Sequence, residues 1–297
     1  MGSTLIRLQV LHEWEGKSIE ELFRTLWQVP KKLIHTMRME KAVCVNDTLE
    51  SWNQPLTEGD ILSITLRDEV NNDLAATPFP LEVLFEDDHM LIVNKPAGMA
   101  VHPNEKNETG TLSNAVAFYL ESKGDKRKIR HIHRLDKDTT GAVLFAKHAL
   151  SHAILDRLLL ERKIKRIYWA MAEGWIQREQ DVIDKPIGRD RHHPTRRRVS
   201  PSGQNAITRY HVLKKSKNPA LTLLECSLDT GRTHQIRVHF SSIGHPLAGD
   251  RLYGGKPFFS RQALHARKLE LLHPFTNIEI KCTAPFLDSP EIFEPYL

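Results

Sequence analysis

The run His131-Ile132-His133-Arg134-Leu135-Asp136-Lys137-Asp138-Thr139-Thr140-Gly141 gathers carboxylates, cationic side chains and a turn-forming end beside an apolar segment. A carboxylate kept ionised by a neighbouring guanidinium can serve as a nucleophile or a base, and it needs no cofactor to do so. Read as an extended segment, residues 131–136 alternate between faces, so Arg134 and Asp136 project together while His133 and Leu135 project the other way. Thr139-Thr140-Gly141 carries turn chemistry, and Ala142 to Ala146 reads as a buried strand. Asp136 is thereby expected on a loop braced by a rigid element. Taken alone, an Arg-x-Asp pair is equally a solvated ion pair worth about 0–1 kcal/mol; the rest of the chain has to decide.

Two other side chains could join that carboxylate. Tyr168 offers an aromatic hydroxyl within an apolar strand pattern, although a lone tyrosine is most often a core residue. Arg237 lies in Thr233 to Gly244, a helix-length segment ending in glycine with Pro246 shortly after. On a helix Thr233, Arg237 and Ser241 share one face and Ile236, Phe240 and Ile243 another, so the guanidinium would project from a rigid support. Other chemistries lack their motifs. The 16 histidines include no H-E-x-x-H and no pairing with cysteine at zinc spacing. G-x-x-x-x-G-K-[ST], G-x-G-x-x-G and G-x-S-x-G are all missing. Cys44, Cys226 and Cys282 are too scattered for a disulfide framework, which fits a reducing compartment.

The elements that must hold these residues divide into two units. With 40% hydrophobic and 27% charged residues, the 297-residue chain has ordinary globular composition. No apolar run approaches membrane-helix length, and the first ten residues have no signal-peptide core, so a cytoplasmic protein is expected. Residues 1–70 read as a small α/β unit: a strand near Leu5 to Val10, a helix capped by Ser18 with Glu21 completing the box, and a second helix opened by Pro30. A strand over Ala42 to Val45, a turn at Asn46-Asp47 and a strand from Ile61 complete it. Residues 71–80 read as a linker, since apolar periodicity disappears there. Residues 81–297 form the larger domain. It starts with a hairpin over Leu81 to Lys95, and Ser151 is expected to cap an amphipathic helix reaching Arg162. Strands and helices alternate irregularly, which predicts an α+β fold around a mixed, mostly antiparallel sheet. Lys/Arg cluster in Arg24–Lys41, Lys123–Arg134 and Arg189–Arg198, and three basic clusters together point to a polyanionic partner, nucleic acid foremost.

At the level of motifs the chain is similar to a known family. His133 to Gly141 (HRLDKDTTG), Phe85 to Pro103 (FEDDHMLIVNKPAGMAVHP), Arg162 to Gly174 (RKIKRIYWAMAEG) and Thr230 to Gly254 (TGRTHQIRVHFSSIGHPLAGDRLYG) together resemble the RluA family of RNA pseudouridine synthases. The front unit resembles the alpha-L RNA-binding motif, although Lys41-Ala42 and Asp47 stand where that motif usually has glycines. The resemblance implies a pseudouridine synthase fold and an isomerase that turns uridine in structured RNA, ribosomal or transfer, into pseudouridine without metal or cofactor. Asp136 would attack the target uridine and break the N-glycosidic bond, so that the base rotates and rejoins through carbon. Tyr168 would stack on the uracil and Arg237 would pair with the aspartate. Arg134 would fill the place of the flipped-out nucleotide, a role that supersedes its pairing with Asp136. His133, Thr139, Arg232, His234 and Gln235 are further candidate substrate contacts, and Arg191, Arg196, Arg197 and Arg198 candidate phosphate contacts. RNA is the one partner implied, and no spare apolar helix face suggests anything beyond a monomer. The rival reading is an RNA-binding factor on the same scaffold, which would have no need of Asp136, Tyr168 and Arg237 together.

Overall fold

The computed structural model describes residues 2–67, 69, 74–105 and 107–296. The chain begins with β1 (Ser3–Gln9), α1 (Ile19–Glu21), α2 (Lys31–Met39), β2 (Val43–Val45) and β3 (Ile61–Arg67). Ser18 starts α1 as expected: its hydroxyl accepts from the Glu21 N–H while the Glu21 carboxylate accepts from the Ser18 N–H. The helix then widens into a π turn over Leu22–Leu26. β3 is the centre of an antiparallel sheet ordered β1-β3-β2, with Ile64 opposite both Ile6 and Val43. Asn46 and Asp47 adopt positive φ (49° and 61°), conformations that these two residue types tolerate, and Lys41 does the same at 50°. The left-handed turns are thus made without glycine.

The larger part comprises β4 (Glu82–Glu86), β5 (Met90–Lys95), α3 (Leu112–Ser122), β6 (Arg130–His131), β7 (Thr140–Ala146), α4 (Ala149–Leu160), β8 (Lys165–Glu173), β9 (Gln180–Asp184), β10 (Ile187–Arg189), β11 (Arg197–Val199), β12 (Ile207–Lys217), β13 (Ala220–Leu228), α5 (Gln235–Ser242), β14 (Leu264–Leu272) and β15 (Glu279–Thr283). β10 and β11 form a separate hairpin. The others join one mixed sheet ordered β4-β5-β7-β14-β8-β13-β12-β9, with β6 and β15 at its sides. Among the described strand pairs the short β7–β14 pairing alone is parallel. Successive side chains on a strand point to opposite faces, and both faces of β5 and β7 are covered. Leu91, Val93, Val143 and Phe145 enter one core, and Met90, Ile92, Leu144 and Ala146 the other.

Three boundaries differ from the sequence reading. The expected extended segment stops at His131; residues 132–139 form a loop, although the alternation survives as burial, with His133 and Leu135 inside and Arg134 exposed. Thr140 and Gly141 do not turn; they open β7. Glycine is required at 141 because φ is +112° and a Cβ would lie 2.3 Å from the Ala266 carbonyl oxygen on the parallel strand β14. α4 starts ahead of Ser151, with His148 as its cap: the imidazole Nδ1 accepts the Ser151 N–H at 3.1 Å, and the Ser151 hydroxyl donates back to the His148 carbonyl.

The front unit rests on the rest of the chain. Leu150 and Ile154 of α4 and Phe275 belong to its apolar core, where Phe275 meets Trp27 edge-on at 5.5 Å. Residues 71–73 of the expected linker lie outside the described residues; from Leu74 onward the segment is fastened to α3, with Asn114 Nδ2 donating to the Ala75 carbonyl at 2.7 Å. Among the described residues no helix is long and apolar enough to cross a membrane.

Candidate active site

A cleft of about 1110 Å³ opens between the loop before β7, the start of α5 and the first turns after β5. Asp136 lies in it between β6 and β7, and the loop that carries it is fastened from behind. Lys95, at the end of β5 and wholly buried, donates 2.8 Å hydrogen bonds to the carbonyls of Pro96, Met99 and Lys137. Burial pushes its ammonium down to about 7, with Asp138 and Asp136 acting in the opposite sense. Arg261 adds a second fastening: its guanidinium reaches the Asp138 carbonyl at 3.2 Å and the Thr140 hydroxyl at 2.9 Å while Asp288 pairs with its Nε and Nη2. Pre-organisation of this kind lets a reactive carboxylate keep its geometry without searching.

Arg237 projects from α5 into the cleft floor and bridges two carboxylates. Its Nη1 donates to Asp136 Oδ2 at 2.9 Å, and its Nε and Nη2 hold Asp250 in a fork at 2.7 and 2.9 Å. Burial alone would push the guanidinium down, but Asp250 and Asp136 outweigh it and hold it above its usual range, so it is permanently charged. Among the described residues Asp136 accepts one hydrogen bond, on Oδ2, which leaves Oδ1 toward the cleft with His234 Nε2 at 3.9 Å. Tyr168, on β8, is buried beside this group. Burial raises its phenol; the Arg166 guanidinium opposes that rise and the Asp136 carboxylate adds to it.

The expected contacts separate into two kinds. Arg134 and Arg232 line the cleft with exposed side chains. His133, Thr139 and Gln235 are buried and engaged in building the loops. His133 Nε2 accepts the Leu144 N–H at 3.3 Å, and burial pushes the ring down to about 3. The Thr139 N–H closes a turn onto the Asp136 carbonyl, and Gln235 joins Thr230 and Arg232 to β12. Arg191, Arg196, Arg197 and Arg198 sit on the β10–β11 hairpin and the loop at its tip. That hairpin reaches the cleft through Tyr253, whose ring lies under the guanidinium carbons of Arg196 (5.6 Å) and Arg237 (5.0 Å). Asp250, Tyr253, Lys95 and Arg261 carry no assignment from sequence. The partners that tie them to the site, Arg237, His234, Lys137 and Asp138, are 13 or more residues distant, so no local spacing announces them.

The family model for RNA pseudouridylate synthase matches residues 89–242, and that for the RluD ribosomal pseudouridine synthase N-terminal domain matches residues 6–62. Over 282 residues the chain is 45% identical to an RNA pseudouridine synthase of Bacillus subtilis, YhcT, covering 95% of this chain and 93% of that protein. It is 41% identical over 261 residues to ribosomal large subunit pseudouridine synthase D of Nitrosomonas europaea, covering 84% and 75%. Among solved structures, human RNA pseudouridylate synthase domain containing 1 superimposes with a TM-score of 0.58 at 26% identity, over 71% of this chain and 87% of the other.

Proposed function

The chain belongs to the RNA pseudouridylate synthase family, and from that membership we propose that it isomerises uridine in ribosomal RNA with Asp136 as the nucleophile. It is an RNA pseudouridine synthase, an isomerase. The observation that carries the residue assignment is the Asp136–Arg237 pair: the guanidinium holds one carboxylate oxygen, leaves the other open, and the pair faces a cleft with room for a nucleotide. In this reading Tyr168 stacks on the flipped base, and Arg134, exposed at the rim, takes the place that the base vacates and so offsets part of the unstacking cost. Ribosomal RNA is favoured over transfer RNA as substrate because Nitrosomonas europaea ribosomal large subunit pseudouridine synthase D is among the relatives. Residues 1–70 act as an RNA-binding unit joined through 71–80 to a catalytic domain over 81–297, and the protein works as a cytoplasmic monomer.

The deciding test is release of tritium from RNA carrying 5-tritiated uridine, since only isomerisation displaces that atom. The wild-type protein releases it, and Asp136→Asn releases none while folding and binding RNA normally; turnover by the verified pure variant removes the nucleophile assignment. The hairpin arginines bear on affinity. Replacing Arg191, Arg196 and Arg198 by glutamine lowers the slope of log Kobs against log salt by about 0.7 for each phosphate that is no longer neutralised. An unchanged slope rejects that role.

A further inference from the structure

We propose that His234 donates a hydrogen bond from Nε2–H to a uracil carbonyl oxygen as the base detaches and again as it rejoins, and that Tyr253 is the positioning residue that fixes this tautomer. The inference rests on the reading of Asp136 as nucleophile toward uridine.

The hydrogen bonds around Tyr253 determine where the imidazole proton sits. Its hydroxyl has one proton and two lone pairs. The backbone N–H of Arg197, on the arginine hairpin, donates to that oxygen at 2.9 Å, and His234 Nδ1 lies 2.8 Å from it. Among the described residues the hydroxyl makes no other hydrogen bond, and Tyr253 is buried, so its own proton is directed to His234 Nδ1. Nδ1 then accepts, and the ring carries its proton on Nε2. Burial lowers the basicity of His234, which favours this neutral form. The backbone contributes as well: His234 has φ 60° at the entry to α5, a conformation that sets the ring edge-on to Tyr253 at 5.6 Å.

Nε2 lies 3.9 Å from Asp136 Oδ1, the carboxylate oxygen that Arg237 leaves open. That separation is too long for a hydrogen bond between them, and it places a neutral donor beside the atom that reacts. Arg237 is committed to the carboxylates, with its Nε and Nη2 donating to Asp250 and one Nη1 N–H to Oδ2. When Oδ1 bonds to the sugar C1′, the C1′–N1 bond breaks and its electron pair leaves with the uracil, where it spreads onto the carbonyl oxygens. A fixed N–H aimed at that developing charge stabilises it without reorganisation. No proton is transferred; His234 keeps its own.

The symmetry of the base lets one donor serve both halves of the reaction. Turning uracil by half a revolution about its N3–C6 axis exchanges N1 with C5 and C2 with C4. The carbonyl next to the reacting ring atom is therefore O2 before rotation and O4 after it. When C5 attacks C1′, the C1′–Oδ1 bond breaks with its electron pair returning to Asp136; the C5 hydrogen then departs as a proton to solvent and N1 takes up a proton from solvent, so the product base is neutral. His234 then faces O4 in the position that O2 had occupied.

The test uses the full chain and an RNA that the wild-type protein converts, so failure of the wild type to release tritium counts against the functional reading itself and not against this inference. Under single-turnover conditions His234→Asn, which tolerates positive φ, lowers the rate by about 10²-fold, and Tyr253→Phe lowers it by about 10-fold, each with Kd for RNA within about two-fold of wild type. The discriminating measurement is a target uridine with sulfur in place of O2, a weaker acceptor. It slows the wild type and causes no further slowing in His234→Asn. An equal thio effect in both proteins, or a His234→Asn rate within about three-fold of wild type, overturns the proposal. A loss of RNA binding that accounts for the whole rate change also overturns it, since that is the mark of a structural role.

Discussion

Two buried clusters of ionisable side chains, one in the cleft and one beneath the front unit, manage burial in opposite ways. In the cleft, opposite charges are set against each other, the one guanidinium of Arg237 between the carboxylates of Asp136 and Asp250. Beneath the front unit, His89, His148 and His273 gather around Phe275, with ring centroids 4.5, 6.2 and 5.9 Å from it. His89 and His148 are held neutral, since burial pushes them down to about 4 and about 3. His273 Nε2 lies 2.9 Å from Asp87 Oδ2, so this ring faces a carboxylate. The charged cluster can do chemistry because the pairing of opposite signs offsets desolvation. The neutral pair His89 and His148 is packing material, and its cost appears when pH falls.

Asp250→Asn breaks this contrast most severely, because it leaves Arg237 half-paired in a buried site. Removing one partner of a buried pair costs about 3–5 kcal/mol, and the loss of the fork lets Nη1 drift from Asp136. Turnover falls by about 10²–10³-fold with Asp136 still present. Tritium release beside thermal unfolding checks both parts; unchanged turnover would show that Arg237 is held without Asp250.

This cluster also marks where the sequence stops being legible. Asp136, Tyr168 and Arg237 are readable because each sits in a motif with its own local pattern, and the capping box at Ser18 and the hairpin over β4–β5 follow from short-range rules. Asp250, Tyr253, Lys95 and Arg261 are not, since their meaning lies in partners brought by the sheet from distant strands. Gly141 reads locally as a turn residue when its cause is the backbone of β14, a tertiary approach that no local window contains. His133, Thr139 and Gln235 show the converse: polar residues inside a functional motif that face the scaffold.

Phe275→Ala probes the neutral cluster. The ring fills the space between the imidazoles and Trp27, so its loss opens a cavity shared by both units and costs about 3–5 kcal/mol. The front unit loosens, and limited proteolysis of the segment between β3 and β4 speeds up. Isomerisation of a short RNA that occupies only the cleft is retained, because no residue of the charged cluster touches Phe275. Equal protection from protease in variant and wild type would show that the unit is held by other interactions, such as the Asn277–Glu13 hydrogen bond.

The smallest effect is the most specific to the imidazoles. His148 caps α4 through an unprotonated Nδ1, and its Nε2 lies 3.0 Å from His89 Nδ1, so the ring donates there and accepts from Ser151. Protonation would destroy the cap and place a positive charge at a helix N-terminus, where the dipole disfavours it. The folded pKa is depressed below the unfolded value of about 6.5, so the unfolded chain binds the proton first. Stability from His148 is therefore complete above pH of about 6.5 and is lost as pH falls toward its folded value, by about 1.4 kcal/mol per pH unit. His148→Asn keeps a side-chain oxygen at the cap and removes the titration. Urea unfolding at pH 7 then shows little change, while at pH 5 the variant is more stable than wild type by about 1–2 kcal/mol. Parallel pH profiles for the two proteins would assign the acid sensitivity to other buried histidines, His133 and His265 first among them.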